Sequence, residues 1–92
     1  MKPPASHRDW DFKKLYALLP LHIQEQAAQT FLLWRSDRWH PSLRFKEWRP
    51  GYWSVRVTKG YRALAEEQPD GSYLWYWIGP HGTYDKRLRE KR

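Results

Sequence analysis

The chain predicts an α+β domain in which an N-terminal helical hairpin packs on one face of a small antiparallel sheet of about four strands. Three observations carry this reading. Apolar residues between Phe12 and Trp34 recur at helical spacing. From Trp53 onward they alternate instead. The two patterns are segregated along the chain rather than interleaved, which separates an α+β order from an α/β one. At 92 residues the chain makes one domain, residues 1–92.

Taken in order, residues 1–8 read as a flexible arm carrying Pro3 and Pro4. Asp9 or Asp11 can cap a helix, because a short carboxylate accepts the unbonded N–H groups of a first turn. Phe12, Leu15, Tyr16 and Leu19 follow an i, i+3, i+4, i+7 pattern. Pro20 ends this helix and opens the next, where a proline loses nothing by lacking an N–H. Ile23, Ala27, Phe31 and Trp34 form the buried stripe of the second helix, widened by Leu21, Ala28 and Leu32. Residues 35–41 break the period and read as a loop. Ser42 to Trp48 alternates Leu43, Phe45 and Glu47 with Arg44, Lys46 and Trp48, an extended edge segment.

Gly51 to Tyr84 is a meander of three strands. Trp53, Val55 and Val57 alternate with Ser54, Arg56 and Thr58, and Lys59-Gly60 is a turn. Tyr61 to Glu67 is the second strand, and Gln68-Pro69-Asp70-Gly71 the second turn. Ser72 to Ile78 places Tyr73, Trp75 and Trp77 on one face and Leu74, Tyr76 and Ile78 on the other, as in a central strand covered on both sides. Residues 85–92 are a basic tail or a short helix. The register of the Lys59-Gly60 hairpin stays open: an odd loop lets Arg56 oppose Arg62 on one face, and a two-residue loop separates them.

A chain this short has a thin core. Its seven Trp, six Tyr and three Phe compensate, since each buries on the order of 150–250 Å². The absence of Cys excludes disulfides and thiolate metal sites and suits a reducing cytoplasm. No apolar run approaches the roughly 20 residues of a membrane helix, so no membrane partner is expected. The four His are scattered without metal-ligand spacing, and neither metal nor cofactor is expected. The net charge of +7 points to nucleic acid or an acidic protein partner. The cations are concentrated: Arg35, Arg38, Arg44, Lys46, Arg49, Arg56, Lys59 and Arg62 share their stretch with only Asp37 and Glu47. Cations beside aromatic rings suit single-stranded RNA, where phosphates are neutralised and bases stack.

Leu19-Pro20, the helix with Ala27 and Phe31, His40 to Leu43, Gly51 to Val57, Gly60 to Leu64 and Trp75 to Leu88 together resemble the RelE/ParE superfamily of bacterial type II toxins. The ordered set W-S-x-R-V, Y-R and I-G-x-H-x-x-Y carries the likeness. It implies a RelE-like fold with a curved sheet and a toxin held inactive by an acidic cognate antitoxin. Relatives often begin with a strand before the first helix, and none is visible in Met1 to Ser6. The resemblance implies one of two activities. Many members cut mRNA on the ribosome without a metal and so inhibit translation; the ParE branch inhibits DNA gyrase and is not a nuclease. A catalytically inactive basic binding module of the same fold is a third expectation.

Metal-free RNA cleavage needs a base for the 2′-OH, an acid for the 5′-oxygen and cations for the phosphate. Carried over from the motif, Arg56, Arg62 and Lys46 supply the cations, His81 the acid, and Tyr84 or Glu47 the base. Arg44, Lys46, Arg49, Lys59, Lys86 and Arg87 are the candidate nucleic-acid contacts. His81 has a plainer reading as a residue satisfying backbone groups in its turn, Tyr84 as a ring under the sheet edge, and Trp75 and Trp77 as core or antitoxin groove.

Overall fold

The computed structural model describes residues 5–83. Helix α1 spans Trp10–Ala17. It starts there because the Asp9 carboxylate accepts the Phe12 N–H at 2.8 Å. Helix α2 spans Leu21–Ser36 directly after Pro20. It buries Ile23, Ala27, Thr30 and Trp34, one residue per turn along a single line. Leu21, Ala28 and Leu32, expected to widen that line, are exposed instead. The helix meets the sheet along a narrow strip, and its next flank is left outside the core.

Five strands form one sheet in the order β1-β5-β4-β3-β2: β1 Ser6–Arg8, β2 Lys46–Arg49, β3 Tyr52–Thr58, β4 Tyr61–Glu67 and β5 Tyr73–Pro80. All neighbours are antiparallel except β1 and β5. The fifth strand corrects the reading of Ser6–Arg8 as part of an arm. All three β1 side chains are exposed, so no apolar alternation marks it. Backbone groups hold it, with the Tyr73 N–H donating to the Ala5 carbonyl and the Asp9 N–H to the Trp75 carbonyl, both at 3.0 Å.

The segment before β2 also differs from expectation. Pro41–Leu43 form a 3₁₀ turn, and Arg44 has φ +46°, so the extended strand starts only at Lys46. His40 explains the turn: its Nδ1 accepts the Ser42 N–H at 3.2 Å, while Pro41 supplies the pre-set φ of a first helical position. The core lies between helices and sheet. Trp34, fully buried, meets Phe45, Tyr73 and Trp75 edge-on with centroids 5.3–5.6 Å apart.

Strand β5 does not alternate as its sequence suggests. Leu64 opposes Trp77 and Ala65 opposes Trp75, so Tyr76 is an extra residue. Beyond this bulge the faces exchange. Tyr73, Trp75 and Ile78 join the helix-side core, while Tyr76 and Trp77 pack with Leu64 on the other side. The Trp77 indole lies over Gly79, where a Cβ would sit 2.7 Å from the ring. Gly79→Ala is therefore expected to displace a buried indole and to cost about 1–3 kcal/mol, read by urea unfolding.

The β4–β5 turn is built on Asp70. Its carboxylate accepts the Ser72 hydroxyl at 2.6 Å and the Ser72 N–H at 2.9 Å, and Gly71 takes φ +87°. The hydroxyl bond, then the backbone bond, hold the Asp70 carboxyl below the ordinary value of 3.8. A lowered folded-state pKa stabilises the protein at pH above the unfolded value, and the effect disappears as pH falls through the folded value. The stability difference between the native chain and Asp70→Ala should thus be full at neutral pH and shrink in acid below 3.8, measured by urea unfolding at both.

Candidate nucleic-acid interface

The structure resolves the hairpin register. The loop is the two residues Lys59-Gly60, with Thr58 opposite Tyr61, yet Arg56 opposes Arg62. Val57 is the extra residue that reconciles these facts. This bulge restores the parity that a two-residue loop removes, and the two arginines share the face away from the helices. Tertiary contacts hold the bulge: the Val57 side chain stays buried, and its carbonyl accepts the Thr30 hydroxyl at 3.3 Å.

Two like charges placed directly opposite each other are unfavourable unless something anionic joins them. Arg62 is anchored. Its Nη1 donates to the Thr58 carbonyl at 2.7 Å, the Tyr61 carbonyl at 3.0 Å and the Lys59 carbonyl at 3.3 Å. The guanidinium therefore wraps the hairpin turn. His81 arrives at the same turn: its N–H donates to the Gly60 carbonyl at 2.8 Å, and its side chain is exposed. Lys46 opposes Ser54, two residues before Arg56, and so lies on the same face one row in.

Glu47 is not brought into this group. It opposes Trp53 on the helix side, and its Oε2 accepts the Gly51 N–H at 2.9 Å. The carboxylate closes the β2–β3 turn, facing away from the arginines. The alternation of Glu47 with Lys46 already contained this separation. Lys59, in the turn, and Arg44 are exposed towards the same end of the sheet. Arg49 opposes Tyr52, four residues back along β3 from Arg56, or roughly 13 Å. Its guanidinium covers the Tyr52 ring at 4.9 Å. Tyr84, Lys86 and Arg87 lie outside the described residues.

Sequence reasoning expected aromatic rings beside these cations but did not single out Trp48 and Tyr52. Trp48 is an extra residue on β2, and its ring stands 5.6 Å from that of Tyr52. Both pack on the cluster of Leu64, Tyr76 and Trp77. The pairing of Lys46 with Trp48 in the alternation was the available signal. On its outer edge β3 meets β2 only from Tyr52 to Ser54. A cleft of about 650 Å³ opens between the rest of that edge and α2, lined by Arg56, Thr58, Lys59, Gln26, Gln29 and Thr30 among others. Among the described residues there is no group of three or more His, Asp or Glu able to hold a metal, and no helix long and apolar enough to cross a membrane.

Solved structures share this fold at low identity. The RelB-RelE antitoxin-toxin complex from Methanococcus jannaschii matches with a TM-score of 0.67 and 14% identity, over 87% of this chain and 95% of that one. YafQ from E. coli matches with a TM-score of 0.69 and 10% identity, over 88% and 97%. The YoeB/ParE toxin from Agrobacterium tumefaciens matches with a TM-score of 0.66 and 12% identity, over 84% and 98%. No curated protein matches by sequence. The family model of the ParE-like toxin domain matches residues 21–86, from the start of α2 through all the antiparallel strands. The helical hairpin, the sheet it covers and this match agree, and the chain belongs to the ParE-like toxin domain family.

Proposed function

We propose that this chain is the toxin of a type II toxin-antitoxin system and that it cuts ribosome-bound mRNA without a metal. The observation that carries the reading is the directly opposed pair Arg56 and Arg62, with Lys46 one row away and His81 on the same turn. Three cations on one face can hold a phosphate as its charge builds in the transition state. Arg56 and Lys46 grip the non-bridging oxygens, and Arg62, fixed by three carbonyls, sets the position of the grip. His81 gives a proton to the departing 5′-oxygen. Tyr84 keeps the role the family motif implies, taking the 2′-OH proton or positioning the phosphate. Glu47, committed to the Gly51 N–H, is dropped as the base. Lys59 and Arg44 extend the phosphate contacts, and an acidic antitoxin would neutralise the whole face. The cytoplasm is where such a target is met.

The match to a ParE-like family model favours a second reading, a gyrase-directed toxin without nuclease activity. Primer-extension mapping after induction separates the two. Cuts inside translated mRNA support the nuclease. Whole mRNA with stalled, cleaved DNA complexes supports the gyrase reading, and harmless induction supports the inactive binding module.

A further inference from the structure

The cleft beside the arginine pair carries groups that phosphate chemistry leaves unused. Gln26, Gln29, Thr30 and Leu33 stand at i, i+3, i+4 and i+7 and form its α2 wall. Arg56, Val57, Thr58 and Lys59 form the facing wall. The cleft exists because β2 stops pairing at Ser54, which leaves the outer edge of β3 without a strand neighbour. Its volume of about 650 Å³ lies within the usual span of small-ligand sites, roughly 300–1,000 Å³. No carboxylate among the described residues lines it. The hydroxyls around it are already bonded. Thr30 donates to the Val57 carbonyl at 3.3 Å, Thr58 accepts the Gly60 N–H at 3.2 Å, and the Ser42 hydroxyl lies 2.8 Å from His40 Nδ1. The carboxamides differ. Gln24 ties its amide to the Leu19 carbonyl at 3.0 Å. The exposed side chains of Gln26 and Gln29, and the Arg56 guanidinium, have no hydrogen-bond partner among the described residues.

We propose that this cleft holds one unstacked adenine nucleotide of a single-stranded RNA, beside the phosphate that Arg56 grips. The RNA rests on the nuclease reading above; the choice of base rests on the cleft. Arg56 belongs to both places, since it opposes Arg62 on the sheet and also lines the cleft. Arg56 and Lys59 meet the nucleotide's phosphate, and the half-buried Leu33 takes one face of the base. The two carboxamides read its edges. A carboxamide sets an acceptor beside a donor, and adenine presents the matching pair, an amino donor beside a ring-nitrogen acceptor. Adenine does so twice, because its amino group has two hydrogens and a ring nitrogen on either side. Gln26 and Gln29 lie about 4.5 Å apart along the helix axis, so each can take one side. Guanine offers only acceptors on its outer edge, and each pyrimidine has a single donor–acceptor edge. A carboxylate alone would satisfy the cations and leave both carboxamides unused. The Thr30–Val57 bond ties the two walls together, which fixes the cleft before a ligand arrives.

The test titrates the purified chain with the four nucleoside 5′-monophosphates, inorganic phosphate and a glutamate dipeptide. Two-dimensional NMR follows the side-chain N–H signals. Adenosine monophosphate should shift the carboxamide signals of Gln26 and Gln29 together with the Arg56 Nε–H, whereas inorganic phosphate should shift only the arginine. Adenosine monophosphate should bind at least about fivefold more tightly than the other three nucleotides, the discrimination of one bidentate base contact. Gln26→Leu/Gln29→Leu should reduce its affinity to theirs and leave phosphate binding unchanged. Both side chains are exposed, so the fold should be kept, as a circular dichroism spectrum would check. Gln26→Ala and Gln29→Ala, which favour the helix further, should each weaken adenosine monophosphate taken singly. Equal affinities for the four nucleotides would overturn the proposal. So would unmoved carboxamide signals, indifference to the glutamine variants, or a dipeptide that shifts both carboxamides where the nucleotide does not. In mapped mRNA, cuts should fall beside adenine, and Gln26→Leu/Gln29→Leu should keep cutting but lose the preference. Selective nucleotide binding without any cutting would overturn the nuclease reading and leave the cleft standing; cutting by a chain whose cleft ignores the base would do the reverse.

Discussion

Arg56→Ala should lower mRNA cleavage by about 10²–10³-fold, the usual loss when one transition-state donor is removed, while leaving the fold slightly more stable. The two halves of this result have one origin. Arg56 faces Arg62 directly across the β3–β4 pair. Like charges directly opposite each other destabilise a sheet by a few tenths to about 1 kcal/mol. With a phosphate between them the same pairing is attractive. Truncating Arg56 therefore removes a cost from the resting protein and a grip from the reacting one. Arg62→Ala is the poorer experiment, because Nη1 also bonds three hairpin carbonyls and its loss loosens the turn. Cleavage by quantitative primer extension, set beside the thermal midpoint of the same preparation, reads both quantities. Undiminished cutting by Arg56→Ala would remove the assignment.

The largest loss of stability is expected from Trp34→Ala. The side chain is fully buried and touches Phe45, Tyr73 and Trp75. Truncating a buried Trp costs about 3–5 kcal/mol, against a total of about 5–15 kcal/mol for an ordinary domain. The thermal midpoint should fall by at least about 12 °C, since each kcal/mol moves a domain of this size by roughly 4–8 °C. Trp34→Phe should fall between the two, because a smaller ring still fills part of the space. A drop of only a few degrees would show that the aromatic cluster is not the centre of the core.

Much of this fold was legible because local signals and tertiary structure agree. Asp9 caps α1, the line of Ile23, Ala27 and Trp34 faces the sheet, and Trp53, Val55 and Val57 face the helices. What was not legible was set by groups distant in sequence. Ser6, His7 and Arg8 form a strand through backbone bonds alone, which leave no mark on side-chain pattern. In Tyr73 to Ile78 nearly every side chain is large and apolar, so neither face is distinguished and the bulge at Tyr76 is invisible. The candidate site divides in the same way. The residue types at 56, 62 and 81 announce phosphate chemistry. Whether 56 and 62 share a face depends on a bulge at Val57 that Thr30 holds from another element. Glu47 is the reverse case: its period-two separation from Lys46 was readable, and its role as a base conflicted with that reading.

The pairing of residue 6 with residue 73 has a consequence for how the molecule is assembled. The hairpin bearing Arg56 and Arg62 closes over two residues, so its strands can pair early and quickly, and only its Val57 bulge waits on Thr30 of α2. Strand β5 sits between β4 and β1 and is the last strand to be made. Until it arrives, β1 has no neighbour and the floor of the core lacks Trp75. Closing so long a loop is the step that rewards the chain last, and it should limit the rate at which the finished domain appears.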